Sequence, residues 1–102
     1  MPCLIYFTAK DRNEARKISK ALVKEKLAAC ANFFSVESVY RWKGKIWEEK
    51  EYGVLLKTEK GLFNKIVKRI RELHSYQLPD IQMINSKTYS DIEKWIKETV
   101  KS

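Results

Sequence analysis

The sequence predicts an α+β fold of the ferredoxin-like type, with the element order β-α-β-β-α-β and a further helix at the C-terminus. Apolar runs with strand periodicity alternate along the chain with segments of helical periodicity. Two long strand-like segments follow one another with only a short turn between them, which indicates a hairpin. The chain has 102 residues, 44% of them hydrophobic, which suffices for one compact core. We therefore expect a single domain over residues 1–102.

The first two elements are a buried strand and an amphipathic helix. The strand is the almost wholly apolar run from Cys3 to Thr8, which is typical of a strand covered on both faces. The helix is predicted over residues 11–26, where Asp11 and Glu14 form a capping pattern. Apolar residues then recur at helical spacing and predict the face that packs on the sheet: Ala15, Ile18 and Leu22.

A long β-hairpin is predicted over residues 27–42 and 46–58, with the turn at Trp42–Lys45. Each arm of about 14 residues spans roughly 45 Å, whereas a compact domain of this length has a diameter near 34 Å. The hairpin should therefore protrude. Its outer half carries apolar side chains that an isolated ribbon cannot bury: Tyr40, Trp42, Ile46 and Trp47.

These hairpin residues are predicted to form an interface between copies of the chain, because an open ribbon edge invites pairing with another chain. The alternative is that the hairpin folds back over its own sheet through a bulge at Gly53. A closed oligomer explains both the length of the hairpin and its apolar side chains, so we favour it.

The second half of the chain contains another helix, a short strand and the C-terminal helix. Thr58 is predicted to cap a helix whose apolar residues include Leu62, Ile66, Ile70 and Leu73. Residues 74–79 form a loop because Pro79 disfavours the helical conformation in its predecessor. A strand follows over residues 80–84, and Ser90 with Glu93 forms a capping-box pattern before the last helix.

The formal net charge is +8, from 21 Lys and Arg against 13 Asp and Glu. Because acids are interspersed with the bases, we interpret the excess as a solvated surface, and expect neither a membrane nor a nucleic acid as partner. Cys3 and Cys30 lack the spacing of a metal motif, and a disulfide scaffold is not expected. No signal sequence or membrane span is visible, and we expect a cytoplasmic protein.

Four blocks of sequence resemble, in their order and spacing, the signature blocks of the CutA family: Leu27–Asn32, Val39–Ile46, Leu56–Thr58 and Glu72–Ile81. The resemblance implies a ferredoxin-like subunit in a homotrimer, with hairpins that reach neighbouring subunits and a shape similar to PII-like signalling proteins. The family is linked to tolerance of divalent cations, including copper. A trimer whose surface is rich in Lys, Glu and Arg is also expected to resist heat.

The resemblance bears on the metal ligands as well. Some members that bind copper have a cysteine late in the first strand and two adjacent histidines in the fourth block, where this chain has Phe7, Leu73 and His74. The candidate metal ligands are His74 and Cys30, and copper is the candidate ion, although no cofactor is required. The alternatives are that an imidazolium at His74 caps a helix C-terminus, and that Cys30 is a small buried apolar side chain.

A ligand cleft is predicted around Lys57, Thr58, Tyr76 and Glu49. Lys57 and Thr58 are predicted to lie at a strand-to-helix junction, where a helix N-terminus can hold an anion. Tyr76 and Glu49 offer oxygen atoms to a cation. The alternatives are that Thr58 only caps the helix and that Glu49 belongs to a solvated hairpin face.

Two other functions fit the element order. An RNA-recognition module is suggested by Ile5–Tyr6–Phe7, but residues 51–56 lack the basic and aromatic second motif of that module. An acylphosphatase-like enzyme would need a glycine-containing loop before a catalytic arginine, and residues 8–12 do not match it. Since no nucleophile and base pair is recognisable, we expect a binding protein rather than an enzyme.

Overall fold

The computed structural model describes residues 1–101, which form one four-stranded antiparallel sheet, three α-helices and a single 3-10 turn. The strands are β1 (Pro2–Ala9), β2 (Cys30–Trp42), β3 (Lys45–Glu59) and β4 (Ile81–Asn85). The helices are α1 (Arg12–Lys24), α2 (Phe63–Leu73) and α3 (Ser90–Thr99), and the 3-10 turn Lys60–Leu62 precedes α2. The strand order is β2-β3-β1-β4, and the predicted α+β architecture is confirmed.

The sheet buries one face completely and the other only in part. β1 pairs with β3 on one side and with β4 on the other. Alternate residues of β1 face the helices and are fully buried: Cys3, Ile5, Phe7 and Ala9. The opposite face of β1, with Leu4, Tyr6 and Thr8, is only half-buried. The prediction that β1 is covered on both faces is therefore wrong for the single chain, because helices pack on one side only.

Helix α1 begins and packs as its sequence predicts. The Asp11 carboxylate accepts a hydrogen bond from the Glu14 backbone N–H at 2.9 Å and caps the first turn. The apolar face of the helix is buried against the sheet: Ala15, Ile18 and Leu22. The chain leaves the helix through Lys26, which has a left-handed backbone with φ of 61°.

The starts of the other two helices differ from the predictions. Thr58 does not cap α2, because β3 continues its pairing with β1 as far as Glu59 opposite Pro2. The Thr58 hydroxyl is buried and donates instead to the Leu27 carbonyl at 2.6 Å. The capping box at Ser90 is also absent: Tyr89 is the N-cap of α3 and makes no side-chain cap bond. Both helices are held by their buried apolar faces rather than by caps.

The hairpin protrudes as predicted. The pairing of β1 with β3 ends at Ala9 opposite Tyr52, so residues 36–51 form a two-stranded ribbon beyond the sheet. The turn consists of Lys43 and Gly44, whose φ angles of 52° and 77° match the tight turn that hairpin twist favours. The domain measures 44 × 24 × 21 Å, and its long dimension agrees with the length estimated for the hairpin.

The hairpin contains no bulge at Gly53. The register between β2 and β3 is unbroken from Cys30 opposite Lys57 to Trp42 opposite Lys45. Glycine is needed at position 53 for another reason, because an added Cβ would lie 2.9 Å from the Phe34 ring. The alternative that a bulge bends the hairpin back over its own sheet is therefore wrong.

Candidate functional site

The principal polar cluster lies at the end of the sheet where β1 stops. Glu51 on β3 directly precedes Tyr52, which pairs with the last residue of β1, and Tyr76 lies in the loop after α2. The Tyr76 hydroxyl donates to Glu51 Oε1 at 2.6 Å. Glu51 is only 7% exposed, so this hydrogen bond gives a nearly buried carboxylate a donor. We call Glu51, Tyr76 and His74 the sheet-end cluster.

The phenols around Glu51 are held in their protonated form. Burial raises the pKa of Tyr76 well above its usual range, and the hydrogen bond to Glu51 raises it further. Burial also raises the pKa of Tyr6, with added effects from the charges of Glu51 and Asp80. Several carboxylates therefore act on this end of the sheet, and their negative potential favours a cation over an anion.

A second phenol and carboxylate pair lies further out on the ribbon. The Tyr40 hydroxyl on β2 donates to the Glu49 carboxylate on β3. This hydrogen bond, more than any other cause, raises the pKa of Tyr40 to about 12. Glu49 is exposed and lies two residues from Glu51, so the acidic character of the sheet end continues onto the hairpin.

His74 is the innermost member of the sheet-end cluster, with a side chain that is 0% exposed. Its Nε2–H donates to the Thr8 carbonyl at 2.7 Å, and its Nδ1 accepts the Tyr76 backbone N–H at 3.0 Å. The ring also packs against Phe7 and Tyr76, with centroids 6.1 and 4.5 Å away. Both ring nitrogens are therefore engaged, and a metal ion would have to displace one of these partners.

Glu14 fastens the start of α1 to the loop that follows α2. Its carboxylate accepts the backbone N–H groups of Lys10 at 3.0 Å and Ser75 at 2.9 Å, and lies 3.8 Å from Nδ1 of His74. Burial opposes ionisation of Glu14, but these hydrogen bonds outweigh it and hold its pKa below the usual range. The loop is thus fixed at both His74 and Ser75, which positions Tyr76 over Glu51.

The other predicted ligands lie at the opposite end of the sheet. Cys30 is half-buried and pairs with Lys57 of β3. Thr8, whose carbonyl accepts the His74 hydrogen bond, pairs with Gly53, which lies four residues before Lys57 on the same strand. Four residues of strand span about 13 Å, so Cys30 and His74 of one chain do not meet. Within residues 1–101 no group of three or more His, Cys, Asp or Glu side chains is arranged to hold a metal ion. Metal binding at His74 or Cys30 stays a prediction.

The four residues predicted to line one cleft also lie at opposite ends of the sheet. Tyr76 and Glu49 lie near the ribbon, whereas Lys57 and the fully buried Thr58 lie toward the far end of β3. Neither Lys57 nor Thr58 stands at a helix N-terminus, since β3 continues to Glu59. The prediction that these two residues stand at a helix N-terminus is therefore wrong, and ligand binding by them stays a prediction.

The hairpin residues predicted at an interface are largely exposed in the single chain. Ile46 is 64% exposed, and Tyr40 and Trp47 are about two-fifths exposed. The Trp47 indole N–H donates to the Trp42 carbonyl at 3.0 Å, and the Lys43 ammonium lies 5.8 Å from the Trp42 ring centroid. The ribbon thus carries apolar side chains that are exposed in the single chain.

Comparison with known proteins gives consistent matches in sequence and structure. The model of the CutA1 divalent ion tolerance protein family matches residues 3–99. The divalent-cation tolerance protein CutA of Pyrococcus horikoshii is 41% identical over 99 residues, which cover 96% of this chain and 97% of the relative.

Solved structures agree with this result. The periplasmic divalent cation tolerance protein CutA of Archaeoglobus fulgidus superposes with a TM-score of 0.96 at 36% identity, covering 99% of this chain and 100% of that one. The divalent cation tolerance protein of Thermus thermophilus has a TM-score of 0.94 at 34% identity, with the same coverage of 99% and 100%. The likeness therefore extends over almost the entire chain.

Proposed function

Because this chain belongs to the CutA1 divalent ion tolerance family, we propose that it acts in divalent-cation tolerance as a homotrimeric binding protein without catalytic activity. The observation that carries the proposal is the protruding ribbon of residues 36–51, with its exposed apolar side chains. Such a ribbon is marginally stable in water unless another surface covers it. A second copy of the chain supplies that surface.

The sheet offers unpaired edges for this contact. Among the described residues, β2 and β4 are the edge strands, and each is paired on one side only. The sheet face opposite the helices also exposes large apolar side chains, including Phe34 and Ile84. A contact between unlike surfaces of neighbouring copies closes into a ring when the rotation between copies divides a full turn evenly. Three copies are proposed from the resemblance to the family.

The ligand proposal concerns the sheet end next to the ribbon. Carboxylates at Glu49 and Glu51, together with the phenols of Tyr40 and Tyr76, supply oxygen donors close to the proposed interface. Copper binding through His74 is the more specific form of the proposal, and it requires the ring to exchange one of its hydrogen bonds for the metal. A role as a PII-like signalling module would use the same end of the sheet.

The location of the protein is also a proposal. No helix within residues 1–101 has the length and apolar character needed to cross a bilayer. We propose the cytoplasm, although the Archaeoglobus fulgidus relative is described as periplasmic.

Light scattering coupled to size-exclusion chromatography tests the assembly. We expect a mass about three times that of the 12.1 kDa chain. Replacing Tyr40 and Trp42 with Asp should shift the mass toward the monomer, because charges would be buried at the contact. Tyr89→Asp is the matched control, since Tyr89 is exposed and lies outside the hairpin. A wild-type monomer at micromolar concentration would refute the proposal.

A further inference from the structure

The net charge of the chain is confined to one layer of the fold. Residues 10–26 contain seven bases and three acids, and residues 60–73 contain five bases and one acid. Each segment thus has four excess positive charges, which together equal the formal charge of +8. Bases and acids balance in the remainder of the chain. We call residues 10–26 and 60–73 the helical layer, because they contain α1, the 3-10 turn and α2.

The two segments form one continuous surface. Helices α1 and α2 lie side by side on the same face of the sheet, and Arg69 of α2 bonds to Glu25 after α1 at 2.9 Å. The start of α1 contacts the end of α2 through Glu14 and Ser75, so the helices run antiparallel. Helix α1 is about 20 Å long, and packed helices lie about 8–10 Å apart. The surface is therefore roughly 20 Å in each direction.

The acids of this layer are already occupied within the chain. Asp11 caps α1, Glu14 accepts two backbone N–H groups, and Glu25 and Glu72 both pair with Arg69. Of the twelve bases, Arg69 alone forms an ion pair among the described residues, and ten of the other eleven are exposed. The four acids offset four of the twelve positive charges, so the layer keeps a net charge of +8 and a positive potential.

We propose that the helical layer is a docking surface for double-stranded nucleic acid, bound through its phosphates without sequence preference. A duplex carries one negative charge per about 1.7 Å of axis, so a 20 Å length carries about 12 phosphates, and those on one side of the duplex face the surface. The surface is present on each chain and does not depend on the trimer. A shallow, open depression on α2 is lined by two bases, one acid and two uncharged side chains: Lys68, Arg71, Glu72, Asn64 and Val67.

The chemistry of the layer favours a duplex over other polyanions. Single strands are bound with aromatic side chains that stack on bases, but the exposed aromatic residues lie outside this layer. A membrane surface is bound by helices that insert large apolar residues, whereas Val23 is the one exposed large apolar residue of the layer within residues 1–101. The apolar faces of α1 and α2 are used in the core.

Fluorescence anisotropy with a labelled mixed-sequence DNA duplex of about 20 base pairs tests the proposal at about 50 to 300 mM NaCl. The test variant is Arg16→Gln, Lys20→Gln and Lys68→Gln, three exposed bases of the layer. The matched control is Lys45→Gln, Lys87→Gln and Lys94→Gln, exposed lysines outside the layer. Both variants lose three charges, so they differ in the position of the charge and not in its amount.

At the lowest salt we expect the layer variant to bind the duplex at least about tenfold more weakly than the wild type. The slope of log binding constant against log salt concentration should fall in magnitude by about 2 to 3 for this variant. The binding constant of the control should change less than about threefold. Equal losses in both variants would overturn the proposal, because net charge alone would then explain binding. Tighter binding to a single strand, or to phosphatidylglycerol vesicles, would also overturn it. Light scattering on both variants separates a loss of binding from a failure of the trimer.

Discussion

Tyr76→Phe tests whether the phenol in the sheet-end cluster stabilises the fold. The substitution keeps the ring but removes the donor that lies 2.6 Å from Glu51 Oε1. Hydrogen bonds to charged groups contribute about 1.5–3 kcal/mol, and Tyr76 is half-buried, so we expect a loss near the lower end, about 1.5–2 kcal/mol. Urea unfolding at fixed chain concentration and pH 7, followed by tryptophan fluorescence, measures the free energy of unfolding.

The control is Tyr89→Phe, because Tyr89 is 67% exposed and its hydroxyl has no protein partner among the described residues. It should change the free energy of unfolding by less than about 0.5 kcal/mol. Equal effects of the two substitutions would refute the reasoning.

The stabilising effect of Tyr76 should also depend on pH, because its pKa is raised in the folded state. Its contribution to the free energy of unfolding is fully present below the ordinary tyrosine pKa near 10 and is lost as pH rises through the folded-state pKa. If the difference in free energy of unfolding between the wild type and Tyr76→Phe already declines between about pH 7 and 9, the Tyr76 phenol is not its source.

Three further predictions follow from the same structure. Thr58→Val should lower the free energy of unfolding in urea by about 1–3 kcal/mol, because the Leu27 carbonyl loses its buried donor. The control Thr88→Val should lower it much less. Copper should bind only weakly or moderately in calorimetry, since both nitrogens of His74 are engaged; nanomolar binding that survives both His74→Ala and Cys30→Ser would show that these residues are the wrong ones. Thermal unfolding should occur at high temperature and rise with chain concentration, and a low midpoint independent of concentration would contradict a stabilising assembly.

The elements that depend on local pattern could be predicted from the sequence. The spacing of Ala15, Ile18 and Leu22 fixed the buried face of α1, and the length of the hairpin arms predicted a ribbon beyond the sheet. These features depend on periodicity and on turn chemistry, which are encoded by neighbouring residues. The prediction that Thr58 caps α2 was wrong because Thr58 pairs with β1 and therefore belongs to a strand. Its partner strand lies more than fifty residues away in sequence.

The candidate site was harder to predict because its contacts join distant segments. His74 donates to a carbonyl 66 residues away, and Tyr76 donates to a carboxylate 25 residues away. The sequence placed Glu51 among several hairpin glutamates, but not as the one that is nearly buried. The available signal was strand alternation, which puts Glu51 on the same face as Gly53 and Leu55, beside the end of β1.

The position of Glu51 connects the candidate site with the proposed assembly. Glu51 is the first residue of β3 beyond its pairing with β1, so it lies at the base of the ribbon. Its bond to Tyr76 joins that base to the loop that His74 and Glu14 hold against the sheet. A cation that draws Glu51 away from Tyr76 would therefore loosen the base of the same hairpin that is proposed to contact a neighbour. If this link operates, Tyr76→Phe should also raise the concentration at which the assembly dissociates, whereas unchanged dissociation would separate the site from the interface.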